Sequence, residues 1–382
     1  MPAMIDRPMR LLQVLEPSGG GSGRHFIDLC GALKDRGHQV TAVYSPVRAE
    51  DRFVRELTAL ELENVVALPM RRAVGPWDAA AWFDLHRLIK TLGPFDLIHG
   101  HSSKAGALTR VRLPGRHVPR VYTPHALRTM DPTLGRKGRT LFGTIESFLG
   151  RYFSDRIICV SEDERDHAVT LDIPANKLRV VINGVLTPPR EDRLALRRSM
   201  GVPEDAVVFG FVGRLSAQKG PERLVNAFVK AASAAPDIHL AMIGFGEMEA
   251  MLRETIDRAG LSDRFLLRHD IPGSTAMQAF DILVMPSRYE AMSYVALEAA
   301  ASGLPMILTE TGGSSVVLAD GVNGVLIPNE DRTDALVDAM LTAVNPDRRT
   351  AFAAAAAARR HQFTLETMVE RTLQVYRELV AD

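Results

Sequence analysis

Short apolar runs, each closed by Gly, Pro or a charged residue, alternate along the chain with stretches whose apolar residues recur every three or four positions. MRLLQVLEP (9–17) is the first such run and has the pattern of a strand buried on both faces. It leads into GGGSGRH (19–25) and a helical stretch to about Arg36; Gly37 and His38 stop that helix before QVTAVYS begins a second strand. NVVALPM, FDLIHGHS, RVYTPHA, RIICVS and LRVVING repeat the strand pattern, separated by helical patterns such as Asp78 to Thr91. Asn183-Gly184 and then Pro188-Pro189 read as a linker. A second series follows: AVVFGFVG, IHLAMIGFG, RFLLRHD, ILVMPS, PMILTE and NGVLIP. Strands alternating with helices predict parallel α/β sheets, and 382 residues suggest two such domains. The expected division is 1–186, 187–363 and a last helix at 364–382. That helix, Thr364 to Val380, follows an alanine-rich helix near 351–360 and carries Leu365, Met368, Val369, Leu373 and Tyr376 on one side, so it must pack on something.

In open parallel sheets ligands sit beyond the carboxyl ends of the strands, and several stretches there carry chemistry. RYEAMSYVALEAAASGLP (288–305) puts Glu290 in a loop and Glu298 about two turns into a helix. The first amides of that helix, near Ser293 and Tyr294, favour an anion. Carboxylates flanking an anion site would repel a phosphate unless they bond the hydroxyl-rich ends of a ligand whose middle is the phosphate. A nucleotide sugar has that shape; an acidic loop beside a solvated helix face is the alternative. In GRLSAQKG (213–220), Arg214 and Lys219 flank a turn after a strand and suit a diphosphate, the guanidinium by paired bonds and the ammonium as a point charge. Plain surface solubility is the alternative here. Thr311-Gly312-Gly313 is a further tight loop after a strand.

The strand–glycine loop–helix–strand unit at the start brings backbone close to a ligand at a helix N-terminus. A nicotinamide site would need GxGxxG and an acidic residue ending the second strand. Here the third glycine position falls on Arg24 and the strand ends Tyr44-Ser45-Pro46, which weakens that reading, while glycines serving only a tight turn stay open. His99, His101 and His125 fall at strand ends. They could bind zinc, but no acidic or Cys ligand stands close by in sequence, and the expectation is no metal site. His125 reads as a hydrogen-bonding group facing the ligand, or as a structural strand-end residue.

Charge sharpens one region. The net charge is zero, against a general nucleic-acid binder. Residues 110–156 nevertheless hold 10 Lys/Arg and 3 Asp/Glu, with Arg136, Lys137, Arg139 and Arg151 interleaved among Leu141, Phe142, Phe148, Leu149, Tyr152 and Phe153. Such a segment suits an anionic membrane surface or a phosphate-bearing acceptor; a helix with an apolar core face and a solvated basic face fits too. Cys30 and Cys159 lie in apolar contexts and read as reduced core thiols of a cytosolic protein. No apolar run opens the chain as a signal peptide would, and none approaches the ~20 residues of a membrane span. A cytoplasmic location is expected, with attachment at the inner face of the membrane left open.

Taken in order, GGGSGRH, TPHA (123–126), DRIICVSEDE (155–164), ING, GRLSAQKG and the E-x7-E pair with TGG behind it resemble family 4 of the retaining glycosyltransferases. HSSKAGALTR and VYTPHA are similar to bacterial enzymes that build capsular, exopolysaccharide or lipopolysaccharide chains. The resemblance implies the GT-B architecture, an α/β fold of two facing Rossmann-like domains whose last helix crosses back to the first. It implies that Arg214 and Lys219 hold a donor diphosphate, Glu298 the ribose hydroxyls and Glu290 the transferred sugar. The amides around Ser293 and Tyr294 would meet sugar and phosphate, and His125 a sugar hydroxyl. Gly20 and Gly21 would border the diphosphate, and Gly213 and Gly244 complete the donor set. The activity implied is transfer from a nucleoside-diphosphate sugar, UDP- or GDP-linked, to a glycan or polyprenyl-linked acceptor, with no cofactor. No Asp-x-Asp pair occurs in the chain, so no metal clamp of that type is expected. Ala291 stands where the family usually has Gly, and Ser315 where an acidic residue is common, which bears on the donor's identity. A sugar-nucleotide 2-epimerase and a non-catalytic sugar-nucleotide-binding subunit are the competing readings.

Overall fold

A computed structural model describes residues 7–112, 117–131, 134–187, 189, 191–290 and 292–380. Ala291 and Pro188 lie outside the described residues. The chain divides into two compact units, residues 1–183 with 365–382, and residues 184–364.

All thirteen apolar runs picked out in the sequence are strands. In the first unit these are β1 (Arg10–Leu15), β2 (Gln39–Tyr44), β3 (Asn64–Ala67), β4 (Leu97–His101), β5 (Arg120–Thr123), β6 (Arg156–Cys159) and β7 (Leu178–Val180). They pair in parallel in the order β3-β2-β1-β4-β5-β6-β7. The second unit has β8 (Val207–Val212), β9 (Ile238–Ile243), β10 (Phe265–Arg268), β11 (Ile282–Met285), β12 (Met306–Thr309) and β13 (Gly324–Ile327). These are also parallel, in the order β10-β9-β8-β11-β12-β13. Strand order therefore reverses between β1 and β4 in one sheet and between β8 and β11 in the other. Those reversals are where open α/β sheets bind ligands.

The helices that bear on the site are α1 (Gly20–Asp35), α2 (Ser102–Arg110), α3 (Arg136–Tyr152), α4 (Glu162–Thr170), α5 (Pro221–Ala231), α6 (Tyr294–Ser302) and α7 (Leu365–Val380). Central strands are buried on both faces because helices cover both sides of a parallel sheet; β8 and β11 have every residue buried. Phe26, Leu29 and Leu33 of α1 share one core with Leu11 and Leu15 of β1 and with Met368, Val369 and Leu373 of α7. The last helix thus completes the core of the first unit, and Arg156 and Arg179 at 3.1 and 2.8 Å from Glu378 tie it to β6 and β7. Cys30 and Cys159 are buried free thiols, raised by burial.

Two sequence expectations change. The glycines at 20 and 21 already lie in the first turn of α1 rather than in a loop ahead of it, with Gly20 at φ 58°. In α3 only part of the apolar set is core. Leu149 is buried, but Leu141, Phe148 and Tyr152 are 56%, 54% and 61% exposed on the face that also carries Lys137 and Arg151. Among the described residues no helix is long and apolar enough to cross a membrane.

Candidate active site

In the second unit the loops after β8 and β11 meet across the point of strand reversal. Lys219, in the turn before α5, places Nζ 2.5 Å from Glu290 Oε1, in the loop before α6. Ser287 Oγ donates to the same oxygen at 3.0 Å. The loops are braced through backbone: Arg288 N donates to Gln218 O (2.8 Å) and Gln218 Nε2 to Tyr289 O (3.2 Å). Gly220 explains the close approach. Its φ is 62°, and a Cβ there would come within 2.4 Å of Pro286 O, so only glycine fits. Gly213 and Gly244 form a similar contact after β8 and β9, where a Cβ on Gly244 would meet Gly213 O at 1.9 Å.

An ammonium has three N–H donors. Glu290 engages one, leaving others for an anion. Arg214 is exposed, and its guanidinium has no ion pair or hydrogen bond among the described residues. Ser293 caps α6, accepting from Ala296 N at 3.3 Å, and the N-terminal end of a helix carries partial positive charge. A pocket lined by Ser287, Glu290, Ser293, Thr311, Gly312 and Gly313 opens at that helix end. Glu298 lies further along α6, partly buried. Anion donors, a carboxylate and hydroxyls thus share one site.

In the first unit the ends of β1, β4 and β5 gather histidines. His125 follows β5 and its Nε2 lies 3.1 Å from His101 Nδ1. His101 Nε2 is 2.9 Å from Gln13 Oε1, and Gln13 Nε2 donates to the Tyr376 hydroxyl at 3.1 Å. That hydroxyl is 2.6 Å from His99 Nδ1, whose Nε2 is 2.8 Å from Thr123 Oγ1. His25, from α1, stands with its ring 4.5 Å from that of His125. Burial lowers all four rings: His25 to about 4, the others well below the ordinary value. All four are therefore neutral at pH 7.

His125 and Ala126 adopt positive φ, 54° and 84°. Glu164 of α4 holds this unusual turn. Its carboxylate accepts from Ala126 N (2.8 Å), Leu127 N (3.0 Å) and Val160 N (2.8 Å), and burial raises it to about 7.

The residues expected from sequence thus fall in two groups, Gly20, Gly21 and His125 in the first unit and the rest in the second. His99 is corrected: it lies within β4, not beyond it, and is fully buried. Among the described residues, the histidines whose nitrogens lie within 4.8 Å of one another, and could geometrically hold an ion, are His25, His101 and His125. Sequence reading passed over Gln13, His25, Glu164, Ser287 and Tyr376. Ser161-x-x-Glu164 is a capping-box signal that could have marked Glu164; Gln13 and Tyr376 look like ordinary strand and helix residues.

Residues 19–187 match the family "Glycosyltransferase Family 4", and residues 192–359 match "Glycosyl transferases group 1". A D-inositol 3-phosphate glycosyltransferase of Saccharomonospora viridis is 30% identical, over 76% of this chain and 71% of its own. The chain belongs to glycosyltransferase family 4. A namesake from Kribbella flavida is 28% identical over 98% of this glycosyltransferase and 97% of its own chain. The UDP-Gal:alpha-D-GlcNAc-diphosphoundecaprenol alpha-1,3-galactosyltransferase of Escherichia coli is 28% identical, covering 69% and 70%. The crystal structure of Anabaena Alr3699/HepE in complex with UDP superimposes with a TM-score of 0.77 at 22% identity, over 96% of this chain and 99% of that one. The likeness identifies the fold as GT-B.

Proposed function

We propose that this glycosyltransferase moves a sugar from a nucleoside-diphosphate sugar, UDP- or GDP-linked, to a glycan or polyprenyl-linked acceptor in cell-surface polysaccharide synthesis. It does so with retention of configuration and without a metal ion. The observation that carries the reading is the meeting of Lys219 and Glu290 across the β8–β11 reversal, beside the N-terminus of α6. A cation for the diphosphate and a carboxylate for the sugar are held within one hydrogen bond of each other. The names of the relatives agree in kind, one acting from UDP-Gal on a diphosphoundecaprenol-linked sugar and one structure holding UDP and glucose.

Breaking the bond between the anomeric carbon and the diphosphate oxygen builds negative charge on the leaving group. Lys219, Arg214 and the first amides of α6 stabilise that charge. They are the cations of a site whose sequence has no Asp-x-Asp pair. Glu290 bonds the hydroxyls of the sugar being transferred, Glu298 those of the ribose, and His125 a further sugar hydroxyl. Gly213 and Gly244 let backbone approach the donor, and Gly20 and Gly21 border its diphosphate. The acceptor oxygen attacks from the face the diphosphate leaves, and the departing phosphate oxygen takes the acceptor's proton.

Lys219→Ala and Arg214→Ala should each lower turnover by ~10²–10³, the scale for one preorganised donor to developing charge. A change under threefold in both would end the reading. In a thermal-shift panel of UDP-, GDP-, ADP- and dTDP-sugars, one cognate donor should raise the midpoint far above the rest. NMR of the product should show the donor's anomeric configuration.

A further inference from the structure

We infer that Tyr376, Gln13 and His101 are positioning residues that decide which ring nitrogen of His125 is bare, and so whether that ring accepts or donates a hydrogen bond. The inference rests on the proposed contact between His125 and a sugar hydroxyl.

Bond lengths give the direction. The Tyr376 hydroxyl accepts from Gln13 Nε2 and lies 2.6 Å from His99 Nδ1, a length typical of an O–H donor. The hydroxyl therefore gives its proton to His99, and its oxygen can only accept from Gln13. That turns the Gln13 amide nitrogen toward Tyr376, at 3.1 Å, and the amide oxygen toward His101 Nε2, at 2.9 Å. Both are ordinary N–H···O lengths. An amide oxygen cannot donate, so His101 carries its proton on Nε2.

A neutral imidazole has one N–H, so His101 Nδ1 is a lone pair. Its 3.1 Å contact with His125 then needs the proton on His125 Nε2. His125 Nδ1 is left bare, an acceptor for a hydroxyl. At the other end, His99 Nε2 carries the proton and gives it to Thr123 Oγ1 at 2.8 Å. Reversing the Gln13 amide would reverse every bond and make His125 Nδ1 a donor.

Each ring but one is fully buried; His125 alone is partly exposed. The run therefore starts on the last helix and ends where the protein can meet a ligand.

The test is NMR of the full-length, ligand-free protein with ring-15N histidine, with kinetics alongside. In the wild type His125 should be the Nε2–H tautomer. In Tyr376→Phe the amide is free to turn, so His125 should become a mixture of tautomers. Turnover should fall about threefold to tenfold, the worth of one mismatched hydrogen bond, with little change in KM for the donor. Gln13→Leu, which cuts the run at its centre, should give the same mixture and covers the case of a Tyr376→Phe variant that fails to fold. A wild-type His125 protonated on Nδ1, or an unchanged single tautomer in the folded variants, overturns the inference. Because the tautomer is read without ligand, that outcome is separate from the sugar contact, which full activity of His125→Ala would sink on its own.

Discussion

Lys219 and Glu290 stand 71 positions apart and share one hydrogen bond, which no spacing rule could anticipate. Each was legible singly, as a cation after a strand and a carboxylate before a helix. Their pairing depends on β8 lying beside β11, and strand order is not written in any local pattern. The histidines show the same limit in reverse. His125 was visible at a strand end, but its neighbour His25 comes from α1 and reads as a helix residue. These buried rings also have a thermodynamic signature. The unfolded chain takes up protons on histidine as pH falls through 6.5, whereas folded His25 resists until about 4. Stability from His25 is thus present above pH 6.5 and lost on acidification, by about 3 kcal/mol for this ring. Glu164, raised from 4.5 to about 7, has the opposite slope: its contribution is complete below pH 4.5 and fades as pH rises through 7. Among the described residues eight histidine rings are lowered and two buried carboxyls, Glu164 and Asp28, are raised, so the urea midpoint should fall as pH drops from 6.5 to 4.5. His25→Gln should flatten that fall.

Elements were more legible than residues, because alternation of buried strands and helices is a local signal repeated thirteen times. Where the sequence left two readings of residues 110–156, packing bears on both. Helix α3 buries Leu149 and Glu146 inward, and Glu146 meets the fully buried Arg110 of α2 at 2.8 Å and accepts from the Tyr122 hydroxyl at 3.0 Å. Arg110 also lies 3.9 Å over the Tyr122 ring. Glu146→Ala would leave that guanidinium buried without its counter-charge, at a cost of about 3–5 kcal/mol in chemical denaturation. The opposite face of α3 exposes Leu141, Phe148 and Tyr152 beside Lys137 and Arg151, the arrangement that lies in an anionic lipid surface. Sedimentation with phosphatidylglycerol vesicles should carry the protein down. Replacing Leu141 and Phe148 with Ser should reduce that binding by tenfold or more, since each loses a large apolar contact. Equal binding by the variant would remove α3 as the membrane contact.

For the whole molecule, the two-sheet architecture followed from the sequence, while the destination of the last helix rested on resemblance alone. The reason it belongs with the first unit is physical: Met368, Val369, Leu373 and Tyr376 fill a core that α1 and β1 leave open on one side. Truncation before Leu365 should therefore expose Phe26, Leu29 and Leu33. The shortened protein should bind a dye for exposed apolar surface and lose cooperative melting of the first unit, while residues 184–364, contiguous in the chain, keep theirs.

That return of α7 to the first unit sets an order of events on the ribosome. Domains ordinarily fold in the order they emerge. Here the segment ending at Thr364 holds everything its own unit needs, whereas the one begun first waits for the final helix, Leu365–Val380, to leave the exit tunnel. The unit begun first is thus finished after the other, and until Val380 has emerged its open side is a natural client for a chaperone.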